Sequence, residues 1–256
     1  MGMAFARSFV QYDLVRKEDL LLIEKSAERS AVLRSQKEGV VVDTVNASVG
    51  EYDLVILSVK PQDFTSVTAE LRNFLRSDQV VLSIMAGIPI AKIQHELNHF
   101  QVVRAMPNTP AMLGQGITGY CAAEGVSFQK LQRIDNLINA TGRSVYLENE
   151  SLMDAVTALS GSGPAYFYYL VKHMVEAGTK MGFDEGLSRL LVKQTMLGAY
   201  HLINNAEQSL DELINAVASK GGTTEAALKV FTERQLGDAL MSGILKAEER
   251  ARELSE

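Results

Sequence analysis

The sequence predicts an α/β domain with a parallel sheet over residues 1–148, followed by an all-helical domain over residues 149–256. Short runs rich in β-branched residues alternate with amphipathic stretches up to about residue 148, as in βαβ units. The central runs are apolar throughout, so we expect helices on both faces of the sheet. From Ser151 onward the apolar residues recur with the period of a helix.

Seven runs are predicted to be strands because each combines β-branched residues with flanking turn residues. In chain order they are DLLLIE (19–24), GVVVD (39–43), DLVILSV (53–59), QVVLSIM (79–85), QVVRAM (101–106), GITGYCAA (116–123) and SVYLE (144–148).

Capping residues mark the helices of the second domain. The predicted boundaries are a capping box at Ser151 and Asp154 with an end at Gly161, a start near Pro164 with an end at Gly182, an N-cap at Asp184 with an end at Asn204 and Asn205, a second capping box at Ser209 and Glu212, and last helices over about 224–255. Helices as apolar as 187–203 would leave a broad apolar face on a single small domain. We therefore expect a homodimer formed through the C-terminal helices, and a higher assembly of such dimers stays open.

Composition narrows the functional class. The net charge of −6 argues against a nucleic-acid partner, since binding phosphates needs a basic surface. The single cysteine, Cys121, excludes an intrachain disulfide, and four scattered histidines predict no metal site. The start lacks the basic and apolar segments of a signal peptide, and no stretch approaches the length of a membrane span. We expect a cytoplasmic protein with no membrane partner.

The opening MGMAFARSFV has the pattern of a helix, with Gly2 just before it. In a dinucleotide-binding (Rossmann) domain, a strand and a G-x-G-x-x-G turn precede a helix whose N-terminus receives the pyrophosphate. Gly2 fits the third glycine, and Glu24 at the end of DLLLIE fits the ribose-binding acid about 20 residues later. On this interpretation the first strand is missing, and we expect a natural protein about 10 residues longer, enough for that strand and turn. Met1 and Gly2 would then lie at the cofactor.

Three further stretches point to ligand chemistry. Lys60 and Pro61 follow a strand, where ligands bind in open α/β sheets. The prolines of RAMPNTPAM predict a stiff loop after another strand. In ASKGGTTEAAL, paired glycines lead into a helix, so converging N–H groups and hydroxyls can hold a small anion such as a carboxylate. Each stretch taken alone also fits a plain surface turn.

Together these stretches resemble the pyrroline-5-carboxylate reductase family. The resemblance rests on VKPQ (59–62), AGI (86–88), RAMPNTP (104–110), ALSGSGPAY (158–166), KMGF (180–183) and GGTTEAAL (221–228), which occur in family order over nearly the whole chain. It implies reduction of a cyclic imine carboxylate, 1-pyrroline-5-carboxylate, to L-proline by hydride transfer from a nicotinamide. This reaction is the last step of proline synthesis.

The resemblance also implies roles for individual residues. The cofactor groove is expected to include Asn46, Val59, Lys60, Pro61, Ala86 and Asn108. Lys25, Ser26 and Arg29 would meet the adenosine end, where two cations favour NADPH, while Glu24 would favour NADH. The substrate site is expected to include Glu207, Ser219, Gly221, Gly222 and Thr223, with Thr224 as the catalytic hydroxyl beside the ring nitrogen.

Two departures from the family pattern leave alternatives open. Lys220 stands where the family usually has proline, and Ala216 stands where relatives often have an amide side chain. These residues would suit a reductase of another cyclic imine or keto acid with the same architecture. A non-catalytic paralogue that keeps the dimer is the other alternative, supported by the missing strand and opposed by the retention of Thr224 and Glu207.

Overall fold

The computed structural model describes residues 1–255 and divides into two compact units. The first comprises Met1–Pro164 with the chain from Ala247 onward, and the second is Ala165–Lys246. The expected division between residues 148 and 149 stays a prediction. Within the described residues, no helix is both long enough and apolar enough to cross a membrane.

All seven predicted strands are present in the first unit. They are β1 (Leu21–Ile23), β2 (Val40–Val42), β3 (Leu54–Leu57), β4 (Val80–Ser83), β5 (Val102–Met106), β6 (Gly116–Ala122) and β7 (Gly142–Tyr146). Strands β1 and β2 form one parallel pair, and the other five form a sheet in the order β3-β4-β5-β6-β7. Strands β1 and β3 therefore each lie at a sheet edge. In a Rossmann sheet, whose strand order is 3-2-1-4-5-6, they correspond to strands 2 and 4, which flank strand 1.

One pairing differs from the expected parallel sheet. Strand β6 runs antiparallel to β5, and the other neighbours in this sheet are parallel. The connection over residues 107–115 contains only a short 3₁₀-helix, Thr109–Leu113. A parallel return needs a crossover of a dozen or more residues, so this connection permits only an antiparallel neighbour.

The sheet is covered on both faces, as predicted. The helices of the first unit are α1 (Gly2–Gln11), α2 (Ala27–Ser35), α3 (Phe64–Leu71), α4 (Ile90–Leu97), α5 (Phe128–Asn139) and α6 (Met153–Val156). In β4, Val81 packs in one core cluster with Phe64 of α3 and Ile93 of α4. Its neighbour Leu82 packs in a second cluster with residues of α1 and α5, including Phe5. This alternation is that of a strand buried on both faces.

The segment after β7 corrects one predicted cap. The Asn149 side chain accepts the Ser151 N–H at 2.9 Å and starts a 3₁₀-turn, Glu150–Leu152, before α6. The predicted capping box of Ser151 with Asp154 is therefore not formed, because Asn149 supplies the acceptor and the Asp154 carboxylate faces Arg104 instead. Helix α6 continues as a π-helical turn, Thr157–Gly161.

The remaining helices are α7 (Gly163–Lys180), α8 (Glu185–Asn205), α9 (Leu210–Val217), α10 (Thr223–Glu233) and α11 (Leu236–Ser255). The capping box of Ser209 with Glu212 and the Asp184 N-cap are both formed. Gly182 has a φ of +102°, which suits the glycine expected at the end of α7. A Cβ on Gly178 of α7 would lie 2.6 Å from the Ser188 hydroxyl of α8, so glycine permits the close packing of these helices.

Candidate functional site

The first helix begins against the end of β3. A Cβ built on Gly2 would collide with the Ser58 hydroxyl, so a larger residue would require Ser58 to move. No side chain of the described residues caps α1, so the N–H groups of Gly2 and Met3 are available to an anion, while the Ala4 N–H donates to the Met1 carbonyl. Lys60 follows on the same strand end, is exposed, and precedes a 3₁₀-turn that starts at Pro61. The structure thus brings Gly2 against Ser58, which directly precedes the predicted cofactor contacts Val59 and Lys60.

The corner between β1 and α2 carries the predicted adenosine contacts. Ser26 caps α2 by accepting the Arg29 N–H at 3.4 Å, and Lys25 forms an exposed ion pair with Glu70 at 3.1 Å. The Glu24 carboxylate accepts the Ser26 N–H at 3.0 Å and pairs with Arg29 at 3.3 Å. Glu24 is therefore engaged by its own loop, while the cations on either side of Ser26 remain at the surface.

The buried Ser30 links this corner to the end of β2 through its hydroxyl. Its hydroxyl lies 2.8 Å from the Glu24 carbonyl and 2.7 Å from Asp43 Oδ1. Hydrogen bonds from Ser30 and Arg34 lower the pKa of the Asp43 carboxyl below its ordinary value. Further along, Asn46 accepts the Ser48 N–H at 2.9 Å and starts a 3₁₀-helix, Ala47–Glu51. Asn46 is half-buried, and its amide serves this turn.

Two loops follow the ends of β4 and β5. In the first, Ala86 is exposed and Gly87 is buried with a φ of +74°, a conformation that favours glycine. In the second, Asn108 Oδ1 accepts the Ile117 N–H at 3.0 Å, and its amide nitrogen lies 3.4 Å from the Ser160 hydroxyl. Asn108 thus ties the RAMPNTP loop to β6 and to the π-helical turn.

An ion-pair cluster that the sequence analysis did not single out lies beside these loops. The Arg104 side chain on β5 is 5% exposed, and its Nη1 lies 2.9 Å from Glu150 Oε1. Its Nη2 lies 3.6 Å from Asp154 Oδ1. A charged residue within the apolar run QVVRAM is the one sequence signal for this cluster, because a buried arginine needs an acidic partner.

The second unit holds the predicted anion loop. Gly221 has a φ of +74°, and a Cβ on Gly222 would lie 2.6 Å from the Ser219 hydroxyl and 2.9 Å from the Ser219 carbonyl oxygen, so both positions require glycine. The Gly221 N–H donates to the carboxylate of Glu225 at 2.6 Å. A backbone N–H of the loop therefore already binds a carboxylate oxygen.

Other predicted substrate residues flank this loop within the second unit. Thr223 and Thr224 form the first turn of α10, whose N-cap is Gly222 and which has no side-chain cap among the described residues. Thr224 is half-buried and Ser219 is exposed. Glu207 is exposed in the turn between α8 and α9, and α9 separates it from the loop by about 12 Å of helix.

These features fit a dinucleotide and a small acid. The Gly2 contact brings the start of α1 against the end of β3, as expected of the third glycine of the fingerprint, which permits close packing of helix and strand. Exposed cations stand at the β1–α2 corner, as a 2′-phosphate requires. Within residues 1–255 no group of three or more His, Cys, Asp or Glu side chains could hold a metal ion.

The chain is similar to known reductases along its whole length. The family described as pyrroline-5-carboxylate reductase dimerisation matches residues 150–254, and the family described as NADP oxidoreductase coenzyme F420-dependent matches residues 1–87. Pyrroline-5-carboxylate reductase of Pseudomonas aeruginosa is 38% identical over 91% of this chain and 86% of its own length. The Haemophilus influenzae enzyme is 34% identical over 93% of this chain and 88% of its own length.

Solved structures agree with the sequence relatives. Plasmodium falciparum pyrroline carboxylate reductase, determined with NADP bound, superposes with a TM-score of 0.90 at 26% identity, covering 100% of this chain and 95% of that one. The Coxiella burnetii pyrroline-5-carboxylate reductase gives a TM-score of 0.88 at 28% identity over the same shares of the two chains. With this sequence identity over most of both chains, the protein belongs to the pyrroline-5-carboxylate reductase family.

Proposed function

We propose that this protein reduces 1-pyrroline-5-carboxylate to L-proline with NADPH as the hydride donor. The observation that carries the proposal is the Ser219–Gly222 loop, which presents the Gly221 N–H to a carboxylate oxygen at 2.6 Å. A substrate with a carboxylate next to its imine can use the same donor. The proposal extends to this chain what the names of its relatives state for those proteins.

The residues of the second unit bind and orient the substrate. Gly221, Gly222, Ser219 and Thr223 hold its carboxylate, helped by the partial positive charge at the start of α10. The Thr224 hydroxyl hydrogen-bonds the ring nitrogen and fixes the orientation of the imine. Glu207 contributes an acidic group to the substrate site. A protonated imine is already electrophilic, so orientation and the exclusion of water are the main tasks of the protein.

The residues of the first unit hold the cofactor. NADPH, when bound, supplies the hydride for the imine carbon. The pyrophosphate binds at Met1, Gly2 and the start of α1. The groove is lined by Asn46, Val59, Lys60, Pro61, Ala86 and Asn108. Lys25, Ser26 and Arg29 take the 2′-phosphate. Glu24 favours NADH only when its carboxylate is free for a ribose, and here it accepts the Ser26 N–H.

The proposed assembly is a homodimer formed by the helices of Ala165–Lys246, from which a higher assembly of dimers can be built. Side chains such as Phe167, Leu190 and Leu202 are 61–64% exposed on the single chain. Large apolar side chains at that exposure favour association with a second copy. We place the reaction in the cytoplasm, where the free thiol of Cys121 suits a reducing compartment.

The function is tested by following NADPH absorbance after addition of 1-pyrroline-5-carboxylate. The key variant is Thr224→Val, which removes the hydroxyl and keeps the shape. We expect kcat/KM to fall about 10- to 100-fold, the range for losing one hydrogen bond to a charged group. The matched control is Thr232→Val on the same helix, whose hydroxyl donates to the Leu228 carbonyl at 3.0 Å; this variant should retain wild-type kinetics.

Other results would redirect the proposal. Turnover of a different cyclic imine or a keto acid, with none of 1-pyrroline-5-carboxylate, would assign another substrate to the same architecture. NADPH binding without turnover of any of these substrates would favour the non-catalytic paralogue.

A further inference from the structure

We propose that Arg104 and Glu150 are positioning residues for the cofactor loop that follows β4, residues 84–90, with Glu150 as the residue that fastens the loop. The inference rests on the proposed function, in which Ala86 of this loop lines the nucleotide groove. Neither side chain contacts the cofactor or the substrate in the proposed function.

Hydrogen bonds hold this loop at its beginning and at its end, and its middle lies close to α11. At the beginning, the Ser83 hydroxyl accepts the Met85 N–H at 3.3 Å. In the middle, a Cβ on Gly87 would lie 3.0 Å from the Leu254 carbonyl oxygen near the end of α11. At the end, Glu150 Oε1 accepts the Ile90 N–H at 2.8 Å. Glu150 lies 60 residues from Ile90 in the chain, so the last fastening depends on tertiary structure.

Arg104 connects two of these contacts. The same Glu150 oxygen that holds Ile90 also accepts from Arg104 Nη1 at 2.9 Å. Nη2 of Arg104 faces Asp154 Oδ1 at 3.6 Å, and that oxygen accepts the Ser255 hydroxyl at 3.0 Å, one residue after Leu254. In the sheet, Arg104 pairs in register with Ser83, the residue at the first fastening. One guanidinium therefore contacts the carboxylate that holds the end of the loop and the carboxylate that is bonded to the chain beside Leu254.

The energetics argue against a purely stabilising role. Arg104 Nε is buried and has no hydrogen-bond partner among the described residues. A buried N–H without a partner costs free energy, and an apolar residue in the same strand carries no such cost. A buried ion pair of this kind is weak evidence for stability, and its geometry fits the fixing of a neighbouring segment.

The experiment compares Glu150→Ala with Glu150→Gln, and uses Glu148→Ala as the matched control. Gln keeps an oxygen that can accept the Ile90 N–H, while Ala removes it; Glu148 is exposed on the same segment. The readouts are the Kd for NADPH by fluorescence titration without substrate, the separate KM values for NADPH and substrate, and hydrogen exchange of the 84–90 amides in the free protein.

We expect Glu150→Ala to raise the Kd and KM for NADPH about tenfold, as for loss of one hydrogen bond to a charged group. The KM for the substrate should stay within about twofold, and the Ile90 amide should exchange faster. Glu150→Gln should restore most of the affinity, and Glu148→Ala should match the wild type. Ser255→Ala, which removes the hydroxyl that lies 3.0 Å from both Asp154 Oδ1 and the Ala251 carbonyl oxygen, should shift the Kd in the same direction by less. It replaces Glu150→Ala if that variant does not fold.

An unchanged Kd and unchanged exchange in Glu150→Ala would overturn the inference, as would a loss of kcat with both KM values unaltered. Wild-type protein that binds NADPH but does not reduce 1-pyrroline-5-carboxylate would overturn the proposed function alone, because the Kd and exchange comparison still decides the role of Glu150. Wild-type protein that does not bind NADPH would overturn both.

Discussion

The two units of this chain differ in how they use apolar residues. The first unit buries its apolar side chains in two clusters on the two faces of the sheet. Within Ala165–Lys246 only Gly178 and Ser188 are buried, and neither is a large apolar residue. Most of the large apolar side chains of the helices there are exposed, among them Tyr168, Leu190, Tyr200 and Leu245. The difference shows that one unit carries its own core, while the other has apolar surface for a second copy to cover.

The largest expected effect is a core substitution in the first unit. Phe64 is 2% exposed in the cluster between the sheet and helices α3 and α4. We expect Phe64→Ala to lower the free energy of unfolding by about 3–5 kcal/mol, the usual cost of emptying a buried aromatic site. Phe167→Ala, at a side chain that is 61% exposed, should change it by less than about 0.5 kcal/mol in dilute protein. Denaturant titration measures both, and an equal cost at the two sites would break the comparison.

A second effect concerns the thiol in the first core. Burial, and then the charge of Glu150, raise the pKa of Cys121 from 9.0 to about 12. At pH 8 this higher pKa lowers the thiolate fraction by about a thousandfold relative to an exposed cysteine. Reaction with a thiol reagent slows accordingly, because the thiolate is the reactive form. We expect a thiol reagent to label the native protein very slowly and the denatured protein rapidly. Fast labelling of the native protein would mean that this core opens readily.

A third prediction tests the exposed helices. Leu190→Glu places a charge in the apolar face of α8, where the leucine is 63% exposed. We expect association to weaken by at least about tenfold, since one unpaired charge in an apolar interface costs more than 1.4 kcal/mol. Lys92→Glu, an exposed change on α4 in the first unit, is the control. Sedimentation at several concentrations measures the assembly, and an unchanged mass for Leu190→Glu would place the interface elsewhere.

The smallest expected effect is a pH dependence in the second unit. Hydrogen bonds from the Ser209 backbone and hydroxyl lower the pKa of Glu212 below its ordinary value of 4.5. A carboxyl whose folded-state pKa is lowered stabilises the fold fully above its unfolded value, and this contribution disappears as the pH falls through the folded-state pKa. We expect Glu212→Gln to show a shallower loss of helix stability in acid than the wild type. Circular dichroism between pH 6 and about pH 2, with Asp211→Asn as control, follows that loss.

Much of the fold was predictable because local patterns encode it. The β-branched runs located every strand, with β7 beginning at Gly142, two residues earlier than predicted. The same runs carry no information on strand direction, so the antiparallel β5–β6 pairing depended on a connection too short for a crossover. The capping box at Ser209 was predicted correctly because both partners lie within one turn. The one predicted at Ser151 was wrong because the Asn149 side chain accepts the Ser151 N–H that the Asp154 side chain was expected to accept.

In the candidate site, too, the features that depend on local sequence were predictable, and the long-range contacts were not. The glycines at 221 and 222 were recognisable because their backbone demands are local. The contacts of Arg104 with Glu150 and of Ser255 with Asp154 join residues 46 and 101 positions apart, so no pattern within a short window reveals them. Whether the predicted residues contact a cofactor and a substrate stays a prediction for the experiments above.

If the proposed substrate binds at the Gly221 loop, the hydrogen bond between Gly221 and Glu225 makes that binding an exchange. An incoming carboxylate must replace a carboxylate that is already in place, so the number of hydrogen bonds at that amide does not change. The net gain is then the small difference between two similar bonds, and affinity depends on the remaining contacts of the ligand. A neutral ligand has no charge to offer in the exchange and leaves Glu225 where it is. In the proposed reaction the loop would therefore select by charge before it selects by shape, and the returning Glu225 would help an acidic product to leave.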